Sequence, residues 1–245
     1  MFDPQHVIAT ADDLRRIVPP PRPAQETKVL SALDTHCRRW IQRSPFVVIS
    51  SVDWAGRMDL SPKGDPPGFV RILDDATLGI PDRPGNRRLD TLHNVLERPQ
   101  VGLMFVVPGR GEVLRVGGTG QIVTDPDLLA TMTVAERPPI LALIVTIDEV
   151  MFHCGKSVIR SKLWSPGEWP DIEGLASYAE CLSDQATSDE TVAQMEAIAL
   201  LVELRACYRS VDQEPPTALE ALLALLVPPL LALVHADGAL GSWQG

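Results

Sequence analysis

Short apolar segments with β-sheet character recur along the middle of the chain, and they limit the folds that it can adopt. Residues 46–52 (FVVISSV), 101–107 (VGLMFVV) and 140–154 (ILALIVTIDEVMFHC) are rich in β-branched and other large apolar side chains. Weaker strand patterns, separated by turn residues, lie at 57–61, 68–73, 76–80 and 113–123. Strands at such short spacing, interrupted only by small helices, predict an antiparallel barrel rather than a parallel sheet with crossover helices.

Turn residues between these segments indicate which neighbours pair. Asp-Trp-Ala-Gly at 53–56 is typical of a turn, and Pro and Gly are frequent between the later segments. Two antiparallel hairpins are therefore predicted, 46–52 with 57–61 and 68–73 with 76–80. The intervening SPKGDPPG at 61–68 holds too much Pro and Gly for ladder pairing, so it is predicted to be a loop.

A third pair of strands carries a cluster of glycines. The segment 101–107 is predicted to pair with 113–123 through the turn PGRGE. In the second segment, Gly117, Gly118 and Gly120 superficially match a glycine-rich nucleotide fingerprint. No strand–turn–helix pattern surrounds them, so we interpret them as a β-bulge or as backbone that approaches a neighbour closely.

Helical patterns flank the strand region. A short helix follows Thr10, which is a typical N-cap residue, and a longer helix is predicted over 24–43, where apolar residues recur at helical spacing before Pro45. A small helix is predicted to start at Asp125. A C-terminal helix is predicted over 189–208, where it would cover the open side of the barrel.

These patterns divide the chain into an N-terminal helical segment (1–43), a β-barrel (44–170) and a C-terminal helical segment with an apolar tail (171–245). In the tail, Leu and Ala fill 221–234 around two prolines. A membrane span needs about 20 apolar residues, and this run is shorter and broken, so no integral membrane segment is expected. The tail is predicted to pack on the body or on a second subunit, with a peripheral membrane contact or an extended terminus as alternatives.

Charge and cysteine content narrow the classes of function. The formal net charge of −10 disfavours a nucleic acid partner, whose phosphates demand a basic face. The four cysteines are far apart, form no CxxC pair and follow a polar, charged N-terminus, which favours a reduced, cytoplasmic location. No clustered Cys or His pattern indicates a metal site.

The window 80–95 (IPDRPGNRRLDTLHNV) concentrates the polar chemistry of the chain. Its Pro-Gly-Asn turn precedes a helix that is predicted to begin near Arg87, with Asn86 as its N-cap. The first amides of such a helix attract an oxyanion, and Arg83, Arg87 and Arg88 would surround that point, so the window predicts a phosphate-like anion site. The alternative is a solvated helix start in which Arg87 and Arg88 pair with carboxylates. The candidate carboxylates are Asp82, Asp90 and Glu97.

Four motifs, in their order along the chain, resemble the pyridoxamine 5′-phosphate oxidase-like superfamily of split-barrel flavoproteins. The matching sequences are GRMDLSPKGDPPGFVRI (56–72), TLGIPDRPGNRRLDTLHNVLERPQVGLMF (77–105), LRVGGTGQI (114–122) and MFHCGKSVIRSKLW (151–164). They look most like the uncharacterised FMN-dependent subfamily. The resemblance covers about residues 30–169 and implies a mainly β fold, an antiparallel split β-barrel with flanking N-terminal and C-terminal helices.

The resemblance also implies a cofactor and an assembly. It implies a homodimer in which FMN lies in a groove between two subunits, with its phosphate held by basic residues at 83–88. Lys63 resembles the basic residue of the family at the end of the second strand and could reach the phosphate or the flavin. Its alternative is a solvated loop lysine. Ser61 and Pro62 would help to shape the edge of the flavin site.

A second cluster lies beyond the longest predicted strand. Lys156 and Arg160 are four residues apart and would share one face of a helix, with Ser161 and Trp164 close behind. The resemblance implies that these residues contact the flavin or its phosphate across the dimer interface, with Trp164 covering the ring system. The alternative is structural, with Arg160 paired to a carboxylate of the preceding strand and Trp164 in the core.

The predicted function is that of an FMN-dependent oxidoreductase that transfers a hydride between a small organic substrate and the flavin, with oxygen or a nicotinamide completing turnover. No residue is assigned as catalytic. An Arg-x-His signature, which holds the substrate in the true oxidases, is missing near the C-terminus, so oxidation of pyridoxamine phosphate is not expected. The alternatives are a flavin- or haem-binding protein without turnover and a deazaflavin-dependent reductase.

Overall fold

The computed structural model describes residues 2–187 and 190–197. These residues belong to two compact units, one that ends at Trp169 and one that begins at Pro170. The first unit contains all the named strands and the motifs discussed above. The predicted helix at 189–208 lies mostly outside the described residues, although 192–197 are helical, and the apolar run at 221–234 lies wholly outside them.

Seven strands form one antiparallel sheet in the order β2-β1-β5-β6-β7-β4-β3. The strands are β1 (Phe46–Val52), β2 (Met58–Gly64), β3 (Arg71–Ile72), β4 (Thr77–Pro81), β5 (Gln100–Val106), β6 (Val113–Val123) and β7 (Ala142–His153). Although β2 and β4 lie near opposite ends of this order, Lys63 Nζ of β2 is 3.6 Å from Asp82 Oδ1, just after β4. The sheet therefore curls round on itself, and the predicted split barrel is confirmed.

Helices of the first unit flank the sheet, as predicted. They are α1 (Ala11–Ile17), α2 (Pro23–Glu26), α3 (Thr35–Ile41), α4 (Asp90–Glu97), α5 (Pro126–Thr131) and α6 (Lys156–Ser161), with a 3-10 turn at Pro166–Glu168. A further helix, α7 (Tyr178–Gln185), belongs to the second unit. Thr10 caps α1 by accepting from the Asp13 amide, and Asp125 caps α5 by accepting from the Leu128 amide. No helix of the described residues is long and apolar enough to cross a membrane.

The hydrophobic core fills the inside of the curled sheet, because side chains alternate between the two faces of each strand. Val47 and Ile49 of β1 and Phe105 of β5 are at most 1% exposed. Helix α3 adds Ile41 and Cys37 to the same core. Burial raises the pKa of the Cys37 thiol to about 12, so this cysteine is a protonated core residue rather than a nucleophile.

The prediction of one helix over 24–43 is wrong. The chain forms α2 and α3 with an extended connection between them, in which the backbones of Leu30 and Val150 exchange hydrogen bonds of 3.0 and 2.8 Å. Asp34 then starts α3, since its carboxylate accepts from the Cys37 amide at 2.7 Å, which also lowers the pKa of Asp34. Pairing with a distant strand and a local cap outweigh the helical spacing of the apolar residues.

The prediction of a loop over 61–68 is wrong in its first half. Strand β2 continues to Gly64, and Pro62 stands opposite Val48 in the ladder with β1. Because β2 is the edge of the sheet, a residue without an N–H can be accommodated on its unpaired side. The edge position, which is a property of the whole sheet, explains why the proline does not end the strand.

Candidate functional site

A groove of about 410 Å³ opens between the edge strand β2, the end of β4 and the start of α4. Seven of the residues predicted to bind the cofactor line it together. They are Ser61, Pro62, Lys63, Arg83, Asn86, Arg87 and Arg88. Two segments about 20 residues apart in sequence, the SPK of β2 and the turn after β4, thus meet at one place.

The polar wall of the groove is produced by the register of β2 on β1. Ser61 lies opposite Ile49 and Lys63 lies opposite Val47, so both project from the face of the sheet that carries the core. Asp59 precedes them at the same two-residue spacing, and all three are partly buried. The inner face of this edge strand is therefore polar where the barrel is split, and it borders a groove instead of the core.

The turn before α4 differs from the prediction. Helix α4 begins at Asp90 rather than Arg87, and its N-cap is Leu89 rather than Asn86. Arg87 and Leu89 have φ of 61° and 59°, which lie outside the α-helical region, so the helix cannot include them. Asn86 instead accepts from the Arg88 amide through Oδ1 at 3.1 Å, which stabilises a short turn.

Arg83 is held in the wall of the groove. Its Nε donates to Asp65 Oδ2 at 2.7 Å and its NH2 donates to the Met132 carbonyl at 2.7 Å. The side chain is 26% exposed. These contacts tie the turn after β4 to the end of β2 and to the residue after α5, and they orient the guanidinium.

Two further cations of the groove, Lys63 and Arg88, also face carboxylates. Lys63 lies 3.6 Å from Asp82, and Arg88 donates through Nε to Asp90 at 2.6 Å. The second contact is the ion pair that the alternative interpretation anticipated. It is well exposed to solvent, and exposed pairs of this kind contribute little to stability, so a bound anion could replace the carboxylate.

Of the residues that the structure describes, four basic ones line the groove (Lys63, Arg83, Arg87 and Arg88) with three acidic ones (Asp59, Asp82 and Asp90). Arg83 pairs with Asp65, outside the lining, and Asp59 accepts from the hydroxyl of Thr91 at 2.8 Å. Among the described residues, no His or Cys lines the groove. Its chemistry is suited to holding an anion with several donors.

The acidic residues with shifted pKa lie elsewhere and are structural. Backbone amides of Cys37, Arg57 and Ala76, respectively, lower the pKa of Asp34, Asp53 and Asp74. Asp34 caps a helix, and Asp53 and Asp74 stabilise turns between strands. No group of His, Cys, Asp and Glu that could hold a metal ion occurs within 2–187 and 190–197.

The second predicted cluster does not line this groove. Lys156 and Arg160 lie on α6, as their spacing predicts, and Ser161 ends that helix. Trp164 is 37% exposed, and its Nε1 donates to the Arg110 carbonyl at 2.8 Å. Within one subunit, the structure therefore brings the first seven predicted residues together and leaves these four on another part of the surface.

Lining residues that the sequence did not point to include Asp59, Thr91 and Ile140. The first could have been found, because Asp59, Ser61 and Lys63 alternate in MDLSPKG as residues on one face of a strand do. Ile140 lies far along the chain from the other lining residues and carries no local signal.

Comparison of the amino-acid sequence with family models identifies the family of the chain. A family model described as pyridoxamine 5′-phosphate oxidase matches residues 33–154, about half of the chain and every strand of the barrel. The chain belongs to the pyridoxamine 5′-phosphate oxidase-like superfamily. The resemblance drawn from the sequence motifs is thereby confirmed. The matched segment contains the groove, whereas the cluster at 156–164 lies just beyond it.

Solved structures similar to this member of the superfamily match over about half of its chain and most of their own. HupZ of Group A Streptococcus has a TM-score of 0.40 and 17% identity, covering 48% of this chain and 91% of its own. A putative pyridoxamine 5′-phosphate oxidase of Lactobacillus delbrueckii has a TM-score of 0.40 and 21% identity, and the match covers 50% of this chain and 95% of its own. An FMN-binding protein of Syntrophomonas wolfei has a TM-score of 0.37 and 11% identity, and the match covers 47% of this chain and 86% of its own. No curated protein sequence matches the chain.

Proposed function

We propose that this protein is an FMN-dependent oxidoreductase, and that the groove holds the phosphate end of the flavin. The observation that carries the proposal is the convergence of Ser61, Lys63 and Asn86 with Arg87 and Arg88 in one groove. Its volume of about 410 Å³ falls within the range of small-molecule sites. A phosphomonoester needs several donors and positive charges, and this set of side chains supplies both.

Each side chain has a distinct part in this proposal. Arg87 and Arg88 would grip phosphate oxygens, because a guanidinium presents paired donors in one plane. Lys63 would add a point charge from the neighbouring strand, and the hydroxyl of Ser61 would donate beside it. Arg83 acts as a positioning residue, since Asp65 and the Met132 carbonyl already engage its guanidinium.

When bound, the flavin supplies the hydride chemistry. The protein would bind and orient it, and the lining residues of the groove would exclude water from one side of the site. Because no His or Cys of the described residues lines the groove, we assign no acid, base or nucleophile to it. The substrate would be a small organic molecule, with oxygen or a nicotinamide as the second reactant.

A homodimer is the second part of the proposal. The outer face of β1, β2 and β5 carries apolar side chains in register: Val48 lies opposite both Pro62 and Met104, and Leu60 and Met58 follow along β2. Met58 and Leu60 are each 68% exposed. An apolar patch of this kind favours a partner. Leu60 lines both the groove and a depression on this face, so a second copy packed there would border the groove.

In such a dimer, we expect α6 and Trp164 of one subunit to approach the groove of the other. Lys156, Arg160 and Ser161 are exposed, as this role requires. No hydrogen bond or ion pair of the Arg160 guanidinium is found in the part of the chain that the structure describes. The alternative, in which Arg160 pairs with a carboxylate of the preceding strand, is therefore not seen among these residues.

Replacing Met104 by aspartate tests the dimer. The side chain lies on the outer face of β5, does not line the groove and is 39% exposed, so Met104→Asp should place a charge in the interface without altering the groove residues of its own subunit. We expect light scattering to give the mass of two chains for the wild type and of one chain for the variant.

Leu96→Asp, at a 74% exposed position on α4, is the matched control and should remain dimeric. A wild-type protein that is monomeric at micromolar concentration contradicts this assembly.

The cofactor is tested with the purified protein and two ligands that differ only in the phosphate. We expect the protein to be yellow, and FMN to bind about a hundredfold more tightly than riboflavin, because only FMN offers a phosphate to the arginines. Equal affinities would contradict the role of the groove. A Soret band would indicate the haem-binding alternative, and binding of a deazaflavin with no binding of FMN would indicate the reductase alternative.

Turnover distinguishes an enzyme from a flavin carrier. We expect the flavin-loaded protein to oxidise NADH or NADPH continuously in the presence of oxygen, at a rate above that of free FMN at the same concentration. A bound flavin that is never reduced by either nicotinamide or by candidate substrates would favour the non-catalytic alternative.

A further inference from the structure

A second cavity, of about 580 Å³, lies between the end of α3, the β5–β6 hairpin and the end of β7. It shares no lining residue with the groove described above. We call it the arginine–tryptophan pocket, after the residues that define it: Arg39, Trp40, Arg43, Arg110 and Phe152. None of these residues has a part in the proposed flavin site.

The floor of the arginine–tryptophan pocket is aromatic. Trp40 and Phe152 meet edge to face, with ring centroids 5.3 Å apart and planes at 81°. Both side chains are only partly buried although they pack against the main core. Val107 and Pro108 extend the apolar surface along the hairpin. A flat apolar molecule could therefore lie against rigid rings that the core holds in place.

The rim of the pocket is basic in a protein whose formal net charge is −10. Arg39, Arg43, Arg110 and His36 line it. Glu112 is the one acidic residue in its described lining, and it lies 3.3 Å from Arg110. The Arg110 guanidinium carbon lies 5.8 Å from the centroid of the Trp40 ring, close enough for a cation–π interaction. Basic side chains from a helix and from a hairpin thus converge on one aromatic surface.

Stabilisation of helix α3 explains only some of the arginines at the rim of the pocket. Arginines favour the C-terminal end of a helix because of its dipole, which accounts for Arg39 and Arg43 at the end of α3. It does not account for Arg110, which comes from the hairpin. In addition, Arg38 of the same turn pairs with Asp75, whereas no ion pair holds Arg39 or Arg43 among the described residues. Arg43 donates through NH1 to the Arg39 carbonyl at 3.1 Å, which leaves its positive charge without a carboxylate in the described part of the chain.

We propose that the arginine–tryptophan pocket binds a small aromatic anion, with its ring on Trp40 and Phe152 and its carboxylate or sulfonate facing Arg39 and Arg43. The apolar floor supplies affinity through burial of the ring, and the basic rim supplies the preference for a negative charge. The pocket is separate from the groove, so this binding does not depend on the proposed flavin function.

The test uses two fluorescent probes with the same rings, 1-anilinonaphthalene-8-sulfonate and its uncharged analogue N-phenyl-1-naphthylamine. We expect the full-length protein to bind the sulfonate at one saturable site per chain, and to bind the uncharged probe at least tenfold more weakly. Arg39→Gln with Arg43→Gln should weaken the sulfonate about tenfold, since it removes two charges from the rim. Arg15→Gln with Arg16→Gln, on α1, makes the same change in net charge outside the pocket and should have no effect.

A steric variant makes the test independent of charge. Val107→Trp should fill the pocket and abolish the saturable binding, while circular dichroism remains that of the wild type. Arg87→Ala with Arg88→Ala should leave the sulfonate affinity unchanged, which separates this site from the groove. The proposal is overturned if the sulfonate binds equally well to the Arg39/Arg43 variant or to Val107→Trp, or if the uncharged probe binds as tightly as the sulfonate.

Discussion

Replacing Arg87 and Arg88 by alanine is expected to weaken FMN binding by roughly ten- to a hundredfold and to leave riboflavin binding nearly unchanged. Each charge-assisted hydrogen bond contributes about 1.5–3 kcal/mol, and a factor of ten in affinity corresponds to about 1.4 kcal/mol. Two such bonds would amount to more than a hundredfold, but both arginines are exposed, Arg88 with 71% of its side chain accessible. Solvent screens their charges, so the expected loss is that of about one bond. Fluorescence titration of both flavins against both proteins measures the change.

The ratio of the two affinities is the decisive quantity. In the wild type it reports the phosphate contribution, and in the double variant it should fall towards one. Arg15→Ala with Arg16→Ala changes the net charge equally at a distant helix and should leave the ratio at its wild-type value. If the double variant at Arg87 and Arg88 retains the wild-type preference for FMN, these arginines do not hold the phosphate.

The sequence was sufficient to predict seven of the residues that line the groove, but not the backbone conformation and contacts that arrange them. Lys63 and the turn at 83–88 were selected from residue chemistry and from the resemblance, and the structure places them around one groove. The start of α4 was missed because left-handed conformations at Arg87 and Leu89 leave no signature in the residues themselves. The contact of Arg83 with the Met132 carbonyl depends on where α5 packs, which no local pattern encodes.

The same distinction applies to the fold. Strands were predicted where β-branched residues alternate between turns, because these patterns act over a few residues. The errors occur where a distant segment decides the outcome. Leu30 is extended because it pairs with Val150, and Pro62 stays in a strand because β2 has a free edge. The glycine-rich segment of β6 was interpreted correctly, since its ladder with β7 shifts register between Gly117 and Gly118.

Gly118 provides the strongest test of how tightly the barrel is packed. A β-carbon added to this residue would contact the Thr146 carbonyl oxygen, and it would lie 2.8 Å from Cγ1 of Val145. The first of these groups is backbone of the neighbouring strand β7, so it cannot rotate away as a flexible side chain could. At this register shift, strands β6 and β7 therefore approach each other more closely than any residue with a side chain permits.

We expect Gly118→Ala to lower the free energy of unfolding by about 3 kcal/mol, the upper end of the usual range for adding one carbon to a packed interior. To relieve the contact, β6 and β7 must separate, which weakens the most extensive ladder of the sheet. Chemical denaturation followed by circular dichroism measures the loss. Gly167→Ala is the matched control, because a β-carbon there meets no atom within 4 Å, and its stability should equal that of the wild type. Equal stability of the Gly118 and Gly167 variants would mean that the two strands are farther apart at the bulge than the structure has them.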